Sequence, residues 1–257
     1  MQISGSVFFI SGGASGLGEA VARRVIAQGA SGVVIADLNM GAAQALASEL
    51  GDRALAVEVD VQSTDAIAAG IDAGMEKFGR INAAVSCAGI GWAERTLDRE
   101  SKAASIDNYR RVININLIGT YDVVRLATEQ MAKNEPNADG ERGVVVLTSS
   151  LAAFDGQIGQ AAYSSSKGGI VGLTLPLARD LSPVGIRVMT IAPGLFDTPI
   201  YDTMPPGLKE NLASTPVFPR RLGLPDEYAH LVQTIVENAY MNGETIRLDA
   251  ALRMAPK

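Results

Sequence analysis

The chain has 257 residues, 47% of them hydrophobic, 19% charged and only 5% aromatic, which fits one large α/β domain or two small ones and argues against disorder. A formal net charge of -6 with no Lys/Arg run disfavours a nucleic-acid surface. The lone cysteine, Cys87, excludes an internal disulfide and a thiol metal cluster.

Strand-like and helix-like segments alternate from start to finish. The apolar run Val7-Phe8-Phe9-Ile10 is too short for a signal core and reads as a first strand entering a glycine turn. A helix follows at 17–29, a strand at 33–37, a helix at 40–51 closed by Gly51, a strand at 54–60, a helix at 63–79 and a strand at 81–89. Then come one long helix at 106–133, a strand at 143–150, a helix at 161–181, a strand at 185–193, a helix at 226–238 and a last strand at 244–249.

Seven strands separated by helices predict a parallel sheet covered on both faces, and the strands are apolar almost throughout, as two-sided burial demands. Connections are short apart from 90–106 and 195–224, with no linker, low-complexity tract or repeat. Residues 1–257 therefore read as a single doubly wound, Rossmann-type α/β domain. Pro176 predicts a kink or a disturbed turn in its helix. No run approaches membrane-spanning length. The expected setting is a reducing compartment, the cytoplasm, or a mitochondrial matrix if a presequence has been removed.

The turn after the first strand reads Ser11-Gly12-Gly13-Ala14-Ser15-Gly16-Leu17-Gly18, a G-x-x-x-G-x-G spacing that opens the first helix. Gly12 would permit the turn, Gly16 would let a pyrophosphate approach backbone, and Gly18 would let helix pack on strand. The helix N-terminus offers N–H groups and a positive dipole end to phosphates. A tight βα turn without a ligand uses the same residues. Asp37, ending the second strand, can accept both adenosine ribose hydroxyls and repel a 2′-phosphate; its bland alternative is a helix N-cap. Leu38, Asn39 and Met40 follow with no arginine, which favours NAD over NADP. Asp60 and Val61, ending the third strand, could meet the adenine edge, and Ser86 to Gly89 would pass beneath the cofactor; strand-end turns explain both sets as well.

Tyr163 and Lys167 stand four residues apart in a helical stretch, so they share a face, and Ser150 ends the preceding strand. A hydroxyl donor, a phenol and a cation converging on one point suit proton transfer at an alcohol oxygen. The Tyr-x-x-x-Lys spacing alone is weak and needs the glycine turn beside it.

Together, SGGASGLG, Asp37, SCAG, Asn116, Ser150, Tyr163 and Lys167, in that order, resemble the short-chain dehydrogenase/reductase family over almost the whole chain. Within it, the stretches from Gly159 to Pro199 and from Phe218 to Asp249 look like the type II 3-hydroxyacyl-CoA dehydrogenase branch. The resemblance implies an NAD-dependent homotetramer oxidising (S)-3-hydroxyacyl-CoA thioesters, some of them branched. It makes Tyr163 the acid/base, with Lys167 binding the nicotinamide ribose and lowering the Tyr163 pKa. Ser150 would then bond the substrate oxygen, and Asn116 would hold a water leading from Lys167 to solvent. It places Ser15, Leu17, Asp37, Asp60, Val61, Cys87, Ala88, Gly89, Pro193, Phe196 and Thr198 around the cofactor, beside the loop glycines. The pair Ser86-Cys87 stands where Asn-Asn is common in the broad family, and Cys87 is expected to offer backbone rather than thiol.

Residues 195–215, apolar and proline-containing, could close over an acyl site after the sixth strand, or form a plain surface excursion. In 90–106, Arg95, Arg99 and Lys102 could meet coenzyme A phosphates, against the blander reading of a solvated mixed-charge loop. His230, the single histidine, reads as a packing or surface residue around which no metal site can be assembled. The competing functions are a secondary-alcohol or hydroxysteroid dehydrogenase, a 3-oxoacyl-thioester reductase, and a non-catalytic dinucleotide-binding scaffold, the last disfavoured because Ser150, Tyr163 and Lys167 are all present.

Overall fold

In the computed structural model, which describes residues 1–199 and 207–256, the apolar runs pair into one sheet of seven parallel strands. These are β1 (Val7–Ser11), β2 (Gly32–Asp37), β3 (Ala54–Glu58), β4 (Ala83–Ser86), β5 (Gly143–Thr148), β6 (Ile186–Pro193) and β7 (Thr245–Leu248). Their spatial order is β3-β2-β1-β4-β5-β6-β7. The helices between them are α1 (Gly16–Ala27), α2 (Met40–Leu50), α3 (Thr64–Phe78), α4 (Ile106–Ile113), α5 (Gly119–Met131), α6 (Ala161–Leu181), α7 (Leu208–Ala213) and α8 (Pro225–Glu237). Residues 200–206 of the expected lid lie outside the described residues.

Side chains alternate across each strand, so every central strand feeds two cores. Phe8, Ile10, Ile35 and Val146 pack beneath α1, α2 and α8. Phe9, Val34, Val145 and Leu147 pack beneath α3, α5 and α6. Each large aliphatic or aromatic side chain fully removed from water contributes about 1.5–3 kcal/mol. The edge strands β3 and β7 are mostly half-buried, where the five between them are buried almost throughout.

Helix ends follow their local chemistry. Ser63 caps α3 by accepting the Ala66 N–H, and Gly79 closes it in the left-handed region at φ +76°. The buried Arg187 of β6 donates to the carbonyls of Ile235, Val236 and Met241, holding the end of α8, and pairs with Glu141 at 2.7 Å. No helix among the described residues is long and apolar enough to cross a membrane.

Four local expectations need correction. The third strand stops at Glu58, because Asp60 turns inward on itself: its carboxylate accepts the Gln62 N–H and its carbonyl the Ser63 N–H, replacing ladder bonds. The fourth covers only Ala83–Ser86 and the fifth ends at Thr148, so Cys87, Ala88, Gly89 and Ser150 all lie just past strand ends. The long helix predicted at 106–133 contains a π-helical turn at Asn114–Ile118, joining α4 to α5. At Pro176, where the sequence predicts a kink or a disturbed turn, α6 stays helical and the Gly172 carbonyl loses its usual donor; both residues are exposed, so water can serve that carbonyl.

Candidate active site

The strand order reverses between β1 and β4, the switch point where open α/β sheets bind ligands beyond their strand ends. The glycine turn leaves β1 and Cys87–Gly89 leaves β4, so the two meet there. A Cβ on Gly12 would stand 2.5 Å from the Ala88 nitrogen, and Gly12 also has φ +67°; the position admits only glycine. A Cβ on Gly18 would fall 2.1 Å from the Gly12 carbonyl oxygen, so this glycine lets the helix pack on the turn itself, where the spacing predicts packing on the strand. Gly16 lies under Thr198, from the segment after β6, with Thr198 Cγ2 3.3 Å from where a Cβ would be.

Ser15 is the N-cap of α1 but makes no side-chain cap bond. The first N–H groups of the helix have no partner within it, and Leu17 and Gly18 lie in that first turn. A glycine-rich turn at a helix N-terminus fits a dinucleotide pyrophosphate. Asp37, half-buried at the end of β2, accepts the Ala14 N–H at 3.0 Å and the Asn39 N–H at 2.9 Å. The N-cap of α2 is Asn39, which takes the Ala42 N–H, so the bland reading of Asp37 fails. Val61 is buried, with its carbonyl 2.7 Å from where a Gly119 Cβ would be, and Asp60 stands half-buried beside it.

The second cluster forms where β5 meets α6. Ser150 caps a short 3-10 turn, Leu151–Ala153, its hydroxyl oxygen accepting the Ala152 N–H at 3.1 Å. That leaves the hydroxyl proton for Tyr163, which it hydrogen-bonds. Burial pushes the Tyr163 phenol up from its ordinary pKa, and the Ser150 bond opposes that shift. Lys167 Nζ lies 5.9 Å from the Tyr163 ring centre and donates to the Thr148 carbonyl at 2.9 Å. Burial lowers the Lys167 pKa to about 8, with the nearby Cys87 thiol pulling the other way.

Asn116 sits in the π-helical turn, wholly buried. Its amide oxygen takes the Ile90 N–H at 2.8 Å, and its amide nitrogen donates to the Ile90 carbonyl at 2.9 Å and to Ser166 Oγ at 3.1 Å. Asn116 thus clasps the chain after β4 to the catalytic-candidate helix. Gly89 threads between them: a Cβ there would stand 3.1 Å from Asn116 Oδ1 and 3.5 Å from Lys167 Nζ.

The Cys87 thiol turns inward to Thr148 and Tyr228, and burial raises its pKa, while its backbone N–H bonds the Ser11 carbonyl. Pro193 ends β6; beyond it Phe196 is buried and stacks edge-on with Tyr228. His230 is exposed on α8, away from this constellation. Sequence reasoning missed Thr148, Ser149, Ser166 and Tyr228. Ser149 Oγ donates to the Lys167 carbonyl at 2.8 Å and Ser166 Oγ to the Tyr163 carbonyl at 2.7 Å. The Thr-Ser-Ser run and the hydroxyls flanking Tyr163 were the available signal; Tyr228 offered none.

The segment after β4 forms a surface pocket of about 740 Å³ lined by Glu94, Arg95, Asp98, Arg99 and Lys102. It adjoins the active-site rim, since the Glu94 N–H bonds the Gly159 carbonyl just before α6. A pocket of about 500 Å³ between residues 1–6 and 135–142 opens at the opposite, N-terminal edge of the sheet, away from this chemistry.

Strand order, glycine turn and a Ser-Tyr-Lys cluster at the carboxyl edge define a dinucleotide-binding oxidoreductase. Residues 6–208 match the family model described as short chain dehydrogenase, and the chain belongs to that family, whose members bind a nicotinamide dinucleotide and act on hydroxyl groups. A Bos taurus relative named 3-hydroxyacyl-CoA dehydrogenase type-2 is 53% identical over 99% of this chain and 98% of its own length. The crystal structure of 3-hydroxyacyl-CoA dehydrogenase type-2 from Mycobacterium avium superposes with a TM-score of 0.94 at 45% identity, covering 98% of each chain. That of 3-ketoacyl-(acyl-carrier-protein) reductase from Brucella melitensis, complexed with NADH, gives 0.85 at 28% identity over 98% of this chain and 100% of the other.

Proposed function

We propose that this chain oxidises (S)-3-hydroxyacyl-CoA thioesters to 3-oxoacyl-CoA with NAD. The observation that carries the reading is the convergence of Ser150, Tyr163 and Lys167 at the sheet's carboxyl edge, in a chain 53% identical to a relative of that name. The bound nicotinamide ring would supply the hydride acceptor. Gly12 and Gly18 hold the tight turn in shape, Gly16 lets the pyrophosphate approach backbone, and Ser15 and Leu17 offer it the helix N-terminus. Asp37 receives the adenosine ribose; Asp60 and Val61 border the adenine; Cys87, Ala88 and Gly89 lend backbone beneath the ring. Pro193, Phe196 and Thr198 close the far side.

Tyr163, as phenolate, takes the alcohol proton, and Lys167 provides the positive charge that makes that phenolate accessible near neutral pH. Ser150 donates to the substrate oxygen as it gains carbonyl character. Asn116 relays protons from Lys167 towards solvent through a water. NAD is preferred over NADP because the Asp37 carboxylate would repel a 2′-phosphate and the exposed Leu38 beside it carries no charge. The reading takes 1–257 as one functional domain, with the segment around 195–224 closing over the acyl chain and coenzyme A held near Arg95, Arg99 and Lys102.

Assembly as a homotetramer belongs to the same reading, supported by exposed Ile106, Tyr109, Ile118 and Tyr121 along α4 and α5; sedimentation analysis tests it. A reducing compartment such as the cytoplasm suits the free Cys87 thiol. Initial rates of NAD reduction across 3-hydroxyacyl-CoA chain lengths, with NADP and simple secondary alcohols as controls, test the function. Turnover of alcohols but not thioesters, or a preference for NADP, would overturn it.

A further inference from the structure

Behind Lys167 lies a polar network that the chemistry above does not use. Tyr228, on α8, is fully buried among the aliphatic side chains beneath α1 and α8. A phenol there is costly unless its hydroxyl finds a partner. It meets Thr148 Oγ1 at 2.7 Å and Cys87 Sγ at 3.9 Å, while Thr148 Oγ1 donates to Cys87 Sγ at 3.6 Å. The threonine hydroxyl has one proton; once given to sulfur, it leaves Tyr228 to donate to the threonine oxygen.

The carbonyl of this same Thr148 accepts from Lys167 Nζ at 2.9 Å. Thr148 is the last residue of β5, and the peptide that carries its carbonyl is held to β6 by the Ser149 N–H, which bonds the Ile191 carbonyl at 2.8 Å. The Thr148 side chain adds a further tie, to Tyr228. The Tyr228 ring also meets Phe196 edge-on, 6.4 Å between centres at 86°, and Phe196 bridges to Gly223. One phenol therefore touches both the anchor of Lys167 and the base of the segment following β6.

We propose that Tyr228 is a positioning residue for Lys167, acting through Thr148, and that it couples the seating of Phe196 to the placement of that ammonium. The inference rests on the assignment of Lys167 as the partner of Tyr163. The titratable groups around Lys167 are Tyr163 on its own helix, Cys87 past β4, and Tyr228 behind Thr148; no carboxylate pairs with it among the described residues. A carbonyl dipole is then the main fixed support of the ammonium, and loosening it weakens the help given to the Tyr163 phenolate.

Tyr228→Phe keeps the ring and deletes the oxygen; Thr148→Val deletes Oγ1 and keeps the carbonyl. Each should move the acid limb of the kcat/KM profile for alcohol oxidation up by on the order of half a pH unit, with KM for NAD changed less than about twofold. The double variant should shift no further than either single one, because one link is cut in all three. In the cofactor-free protein, NMR of isotopically labelled lysine should show Lys167 titrating lower in both variants. Folded variants with wild-type pH profiles and an unmoved Lys167 titration would overturn the proposal and leave Tyr228 a core residue. If Tyr228→Phe does not fold, Thr148→Val decides by the same two readouts. The underlying assignment fails separately: Lys167→Met turning over normally would remove it whatever Tyr228 does.

Discussion

The Asp37 carboxylate accepts the backbone N–H of Ala14 at 3.0 Å, so the side chain proposed to receive the adenosine ribose also ties down the glycine turn proposed to receive the phosphates. Its other oxygen takes the Asn39 N–H and draws in the start of α2. Asp37→Ala should weaken NADH binding by about 10-fold or more, since hydrogen bonds to a charged group are worth about 1.5–3 kcal/mol. Asp37→Asn separates the two jobs: its amide oxygen can still accept from Ala14, while the charge that repels a 2′-phosphate is gone. That variant should keep a measurable NADH Kd and gain NADPH binding. Fluorescence titration of both nucleotides checks this, and unchanged selectivity would remove Asp37 from cofactor choice.

Tyr163→Phe deletes the group proposed to accept the alcohol proton and keeps the ring packing. Cofactor binding should persist while turnover falls by about 10²–10⁴-fold, the usual range for loss of a positioned acid/base. Ser150→Ala should cost less, because the phenol still faces the substrate oxygen, and should raise the Tyr163 pKa by removing the bond that opposes its burial shift. Stopped-flow turnover beside NADH titration separates the two effects; near-normal turnover in Tyr163→Phe would end the acid/base assignment.

Sequence spacing carried the parts of this site that are local in the chain. Tyr163 and Lys167 share one helix face whatever the fold, and the glycine turn declares itself by lying between an apolar run and a helix. The seven strands were equally legible, because two-sided burial leaves continuous apolar runs. Boundaries were not: the Asp60 turn competes with strand pairing through its own side chain, and a π-helical turn at Asn114–Ile118 leaves no mark on the hydrophobic pattern. Nor was the Thr148–Tyr228 pair, which joins residues 80 apart in the chain and depends on how α8 packs across β5. Asn116 was found only through family resemblance, and the structure supplies its local reason, a clasp between Ile90 and Ser166.

Lys167 has a consequence for stability. Its folded pKa, about 8, lies below the ordinary lysine value of 10.5, so between the two the unfolded chain binds more protons than the native one. Stability from this group is therefore fully present above pH 10.5 and is lost as pH falls through about 8. The size is on the order of 3 kcal/mol for a shift of this extent in a buried group. Cofactor-free wild type should thus gain stability relative to Lys167→Met between pH 8 and 10.5. Urea unfolding of both proteins across that window checks the sign; parallel curves would show that the ammonium is not strained by burial.

Arg95, Arg99 and Lys102 line the pocket after β4 and make no ion pair with any described residue, whereas Asp98 spends its carboxylate on the Glu100 and Lys102 backbone N–H groups. Unpaired cations on a rim joined to Gly159 suit the phosphates of coenzyme A more than those of the dinucleotide, which are proposed to sit at the glycine turn after β1. Arg95→Ala should raise KM for 3-hydroxyacyl-CoA by about 3- to 10-fold, as expected for one exposed ionic contact, and leave kcat intact. The same variant should show no change with a pantetheine thioester or a free secondary alcohol, which lack the nucleotide phosphates. Added salt should narrow the gap between wild type and variant, because exposed charges are screened within about 10 Å at 0.1 M ionic strength. An equal rise in KM for all three substrates would trace the effect to the rim's packing against the loop before α6, and coenzyme A would have to lie elsewhere.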